Sequence, residues 1–133
     1  HVCPDAGVDE VDLEIEGRLI QTVRCGDGVV WFDFIAICDG PRGAADYIEI
    51  ARQYQTVLLA NIPVMDDYAN DIAKRFITLV DEFYDRNVKL IITAAANPDA
   101  LYIGERLQAP FKRTISRLEE MRTHDYLAKQ HLP

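Results

Sequence analysis

The residues best suited to chemistry in this sequence are arginines. Arg113 and Arg117 stand four apart, so on a helix they share one face, with Glu120 in reach. Arg75 lies in a separate segment, just before Phe76. A guanidinium can pair with a surface carboxylate, or it can stabilise phosphate charge in a neighbouring site. Spacing alone favours the first, with Glu120 or Asp71 as partner, and leaves the second open. The carboxylate pair Asp66 and Asp67 follows the apolar run TVLLAN, on the side of a sheet where α/β proteins bind ligands. Both residues also suit the start of the helix that follows, where acidic side chains cap and face the dipole, and capping is the favoured reading.

Other chemistries find little support. Ser116 is the only serine and has no histidine near it in sequence, which speaks against nucleophilic catalysis. His1, His124 and His131 show no i, i+4 pairing, and Cys3, Cys25 and Cys38 form no CxxC pair. No metal site is expected from these spacings, and the cysteines are expected as free thiols in a reducing compartment. A phosphate-binding loop needs GxxxxGK(S/T), whose amides wrap the phosphates. No lysine here follows a glycine, there is no GxGxxG, and TVLLAN ends in neutral Asn61 where a magnesium-binding carboxylate would be needed. Catalytic residues are therefore expected to be absent.

The elements that must position these groups fall into two parts. Residues 11–34 read as an antiparallel β meander. Val11 to Glu16 alternates apolar and acidic residues, a turn at Gly17-Arg18 leads into Leu19 to Arg24, and Cys25 to Gly28 turns into the strand Val29 to Phe34. Residues 44–122 read as alternating helices and strands. Ala44 to Gln53 is helical by spacing, and Thr56 to Asn61 and Val88 to Thr93 read as parallel strands buried on both faces. Between them, Asp67 to Arg86 carries the apolar stripe Ile72, Phe76, Leu79, Val80 and Phe83. Pro98 to Ile103 reads as a short helix and Pro110 opens a last one with Ile115, Leu118 and Met121 inside. The tail from His124 is expected to pack loosely. The fold class is α/β: a partial parallel sheet with flanking helices, preceded by the meander.

With 133 residues, 49% hydrophobic and 27% charged, the chain fits one globular domain. A net charge of −8 argues against nucleic acid as a partner, and no apolar run approaches the roughly 20 residues that span a bilayer. The first residue is His1 rather than Met, and two buried-type parallel strands with a hairpin make a thin sheet. Both observations point to a piece of a larger protein, residues 1–133 forming a single C-terminal part that docks on the rest. An apolar sheet face left open would be the sign of it.

Three stretches carry a resemblance: FDFIAICDGPRGAADYIEIARQYQTVLLANIPVM, AKRFITLVDEFYDRNVKLIITAAANPDALYIGERL and FKRTISRLEEMRTHDYLAKQHLP. Together they resemble the C-terminal region of the ZapE-type cell-division ATPases, bacterial relatives of the mitochondrial AFG-one-like ATPases, and RFITLVDEFYDRNVKL and SRLEEM are the most specific pieces. The likeness implies a cytoplasmic P-loop, AAA+-like parent that uses ATP and magnesium through Walker segments absent from this chain, for which no cofactor of its own is expected. Implied partners are the N-terminal ATPase core of the same protein, FtsZ, and further copies in a homo-oligomer. Arg117 first, then Arg113, then Arg75 become candidates for sensing phosphate in the full-length protein. A non-enzymatic adaptor domain is the alternative.

Overall fold

A computed structural model describes residues 7–132. Its centre is a five-stranded mixed sheet in the order β1-β4-β5-β6-β7. The strands are β1 Val8–Asp9, β4 Arg24–Gly26, β5 Val29–Asp33, β6 Thr56–Ile62 and β7 Lys89–Ala94. β2 Asp12–Ile15 and β3 Arg18–Gln21 form a separate antiparallel hairpin. Its two-residue loop is Glu16-Gly17 rather than Gly17-Arg18. Both residues have positive φ, 50° and 74°, the primed-turn geometry that matches strand twist.

The meander expected over residues 11–34 is thus divided. Its last strand, β5, pairs antiparallel with β4 on one side but parallel with β6 on the other, in the register Val29↔Thr56 through Asp33↔Ala60. β6 then pairs parallel with β7. Three parallel strands exist where the sequence suggested two, because β-branched and aromatic content marks a strand without naming its partner.

Each crossover between parallel strands carries helices. After β5 come α1 (Phe34–Cys38), capped by the Asp33 side chain on the Ile35 N–H, and α2 (Ala44–Gln53). After β6 a 3-10 turn, Asp67–Ala69, leads into α3, Asn70–Asp85. Its stripe buries Phe76, Ile77, Leu79, Val80 and Phe83, and Asn87, with φ 55°, turns the chain out of it. Both crossovers step across the sheet in the same direction, and crossovers of one hand then deliver their helices to one face. The core lies on that face, where Val30, Phe32, Val57 and Leu59 meet Phe34, Tyr47, Ile50, Phe76 and Val80.

Among the described residues nothing covers the opposite face, which corrects the expectation of strands buried on both sides. β6 alternates buried and half-buried residues, and no residue of β7 is fully buried. Trp31, Leu58 and Ile91 stand side by side across the three parallel strands, with Trp31 36% and Ile91 55% exposed. A continuous apolar run records what a strand is able to bury, and here only half of it is covered.

Four further expectations change. Pro98 to Ile103 contains only a 3-10 turn, Pro98–Ala100, after which Tyr102 bridges to Met65. The last long helix, α4, spans Gln108–Glu120 with Pro110 in its first turn. The tail is anchored rather than loose: α5, His124–Leu127, buries Tyr126, whose hydroxyl donates to the Val88 carbonyl at 2.7 Å. Cysteine chemistry is mixed. Cys38 is a free, buried thiol, whereas Cys25 is disulfide-bonded, contrary to the expectation for it; Cys3 lies outside the described residues.

Candidate functional site

Arg113 and Arg117 do share a face of α4, and both reach one carboxylate on α3, Asp81. Arg113 Nη2 lies 3.2 Å from Asp81 Oδ2, while Arg117 pairs with Asp81 Oδ1. The partner is neither Glu120 nor Asp71. Glu120 instead accepts the Tyr84 hydroxyl at 2.7 Å, a hydrogen bond that holds the phenol pKa up, with burial acting in the same direction. The Tyr84 ring lies beneath the Arg117 guanidinium, 5.0 Å from its centroid, and stacks on Tyr126 at 5.9 Å. Arg117 is therefore gripped by a charge and by an aromatic face together. Asp81 and the Glu120 carboxylate on Tyr84 balance the two guanidiniums, of which Arg113 is half exposed.

Arg75 is not part of this cluster. It reaches back under the helical layer, where Nη1 donates to the Cys38 carbonyl at 3.4 Å, and Asp71 is not its partner. The three arginines chosen from sequence thus split into a converging pair and one residue that ties α3 to the end of α1.

The carboxylates Asp66 and Asp67 take different roles. Asp66 caps the following turn by accepting the Tyr68 N–H at 2.9 Å, as expected. Asp67 does not cap. Its carboxylate receives the backbone N–H groups of Arg106 and Glu105 at 3.1 Å, the Tyr102 hydroxyl at 2.9 Å and, more distantly, the Asn70 amide. The amide donors, Arg106 first and then Glu105, hold this carboxyl below its ordinary value. A general base of raised pKa is not what this arrangement makes; it is a clamp that holds residues 102–107 against the start of α3.

At the carboxyl ends of the parallel strands a third polar group appears. Asn61, with φ 63°, donates from Nδ2 to Asp33 at 3.1 Å and from its backbone N–H to Thr93 Oγ1 at 2.9 Å. One residue thereby ties the ends of β5, β6 and β7, where the β6–β7 register shifts between Leu59 and Ile62. Asn61 thus satisfies the strand exit by hydrogen bonds. Asp81, Tyr84 and Asp33 were missed in the sequence, and only spatial proximity could have found them.

These donors do not fit a magnesium–triphosphate complex by themselves. Among the described residues no three His, Cys, Asp or Glu side chains converge as metal ligands, Asp66 and Asp67 are committed to N–H groups, and Asn61 is neutral. Nor is any helix among the described residues long and apolar enough to cross a membrane.

Comparison with known proteins gives a consistent result. A family model described as AFG1-like ATPase matches residues 3–130. Cell division protein ZapE of Escherichia coli strain K12 is 40% identical over 120 residues, which cover 90% of this chain and 32% of that protein. Lactation elevated protein 1 homolog B of Danio rerio is 30% identical over 146 residues, covering 86% of this chain and 29% of that protein. The chain therefore spans about a third of the length of the curated relatives it matches. No solved structure matches.

Proposed function

We propose, from the fact that this chain belongs to the AFG1-like ATPase family, that it completes and regulates an ATPase by docking its bare sheet face on an N-terminal ATPase core. The supporting observation is the row Trp31, Leu58 and Ile91. Parallel strands occur almost only with both faces covered, and nothing in residues 7–132 covers this one. ATP and magnesium are held by the core. Arg117 and Arg113, already convergent, are the groups here that would meet phosphate oxygens; Arg75 is the third candidate. The likeness to a cell division protein supports a cytoplasmic division role for the parent.

The test is to add the N-terminal part of the family-length protein to this chain carrying 5-fluorotryptophan at Trp31. Docking through the face shifts the fluorine resonance and restores ATP hydrolysis, and Ile91→Asp, which keeps the label, abolishes both. Arg117→Ala lowers turnover while leaving the resonance shift intact. Restored hydrolysis with an unmoved resonance sinks the face as the docking surface. Docking without hydrolysis supports the adaptor reading.

A further inference from the structure

Among the described residues β7 forms the edge of the five-stranded sheet and pairs with β6 alone. The Lys89 N–H donates inward, to the Gln55 carbonyl at 2.8 Å. In a parallel ladder the N–H and C=O of one residue point to the same side and alternate along the strand, so those of Leu90 and Ile92 point away from β6. Natural sheet edges are usually blunted by charge, proline or a covering element. KLIITA has one charge, Lys89, at its start and no proline. From Leu90 to Ala94 no described residue pairs with the outer side of this edge.

Beside it lies a cavity of about 560 Å³, with Leu90, Ile91 and Ile92 on the sheet side and Met121, Arg122 and Leu127 on the helical side. The walls are largely apolar. Arg122 is the one charged residue in them, and it makes no ion pair among the described residues. The cavity thus combines unmet backbone groups at strand spacing, apolar walls and one free cation.

We infer that this groove receives an extended segment of a partner protein as an added strand on β7, with alternate apolar side chains in the cavity and an acidic residue on Arg122. Only an extended backbone presents N–H and C=O groups at the repeat that Leu90 and Ile92 require, and the side-chain pockets supply the selectivity. A second copy of this chain is a poorer occupant. It would bring a second guanidinium to the seam in place of the acidic group that Arg122 calls for. The inference does not depend on the docking of the bare sheet face.

The experiment uses a fluorescein-labelled octapeptide of alternating valine and threonine with an aspartate at each end, and the same peptide with lysine ends. Fluorescence anisotropy with the 133-residue chain should show saturable binding of the acidic probe and at least tenfold weaker binding of the lysine probe. Arg122→Glu should reverse that order, and hydrogen exchange of the Leu90 and Ile92 amides should slow on binding. Ile92→Pro, which removes an outward N–H and leaves the β6 ladder its donors, should abolish binding. Equal affinity for the two probes overturns the inference, as does binding that leaves the Leu90 and Ile92 amides unchanged, or no binding at all. Slowing of those amides with chain concentration alone, without probe, would assign the edge to a second copy and overturn it too.

Discussion

Tyr102 and Asp67, 35 positions apart in sequence, meet at 2.9 Å, and the segment between Ile103 and Leu107 is folded around that contact. The Leu107 N–H donates to the Tyr102 hydroxyl at 3.1 Å, while Asp67 holds the Glu105 and Arg106 amides. One phenol and one carboxylate therefore organise a turn that has no regular secondary structure of its own.

Asp67 gives the stability a pH dependence whose sign follows from its depressed pKa. The unfolded carboxyl takes up its proton near 3.8, the folded one at lower pH. The contribution is thus fully present above about 3.8 and is lost as pH falls through the folded value. Urea midpoints at pH 5 and pH 3 should fall more for the native chain than for Asp67→Asn, which has no such proton to bind. Equal falls would show that the clamp contributes nothing to stability.

Gly104 is required by the same clamp. A Cβ there would stand 2.5 Å from the Tyr102 hydroxyl and 2.7 Å from Asp67 Oδ1. Gly104→Ala should cost about 1–3 kcal/mol by overpacking, seen as a lower urea midpoint with an unchanged slope. The penalty should shrink in a Tyr102→Phe background, where the clashing oxygen is gone.

Arg117 and Asp81 are each about a quarter exposed, so their coupling is partly screened. A double-mutant cycle with Asp81→Ala and Arg117→Ala should return about 0.5–1 kcal/mol, falling in 1 M salt. The Tyr84→Leu cycle with Arg117 should be less sensitive to salt, because the ring carries no net charge. A coupling near zero would mean that Arg117 is free to reach another anion without displacing Asp81.

Cys38 is pushed up to about 12 by burial, so its thiol stays neutral in the folded chain. Alkylation by iodoacetamide at pH 8 should proceed only through unfolding, with a rate that rises with urea. As pH climbs past 9.0, the thiol's ordinary value, the unfolded state loses its proton first, and stability should decline from there up to about 12. Cys38→Ala should remove this part of the alkaline decline.

The sequence by itself determined the local elements. α2 is where its spacing placed it, and the stripe from Ile72 to Phe83 is the buried side of α3. Ile62-Pro63 ends β6, and Asn87 closes α3, because these signals act over a few residues through backbone geometry and side-chain period. Family membership was legible too, since RFITLVDEFYDRNVKL and SRLEEM are contiguous strings. Tertiary structure alone decided which elements meet. Arg117 had an eligible carboxylate three residues away in Glu120, yet it pairs with Asp81 across 36 positions, because α4 packs on α3 and brings that side chain closer. Asp67 suited a helix cap until the backbone of Glu105 and Arg106 arrived with better-aimed donors. An apolar strand reads the same whether one face or both are covered, and only the direction of the crossovers left Trp31 and Ile91 facing solvent.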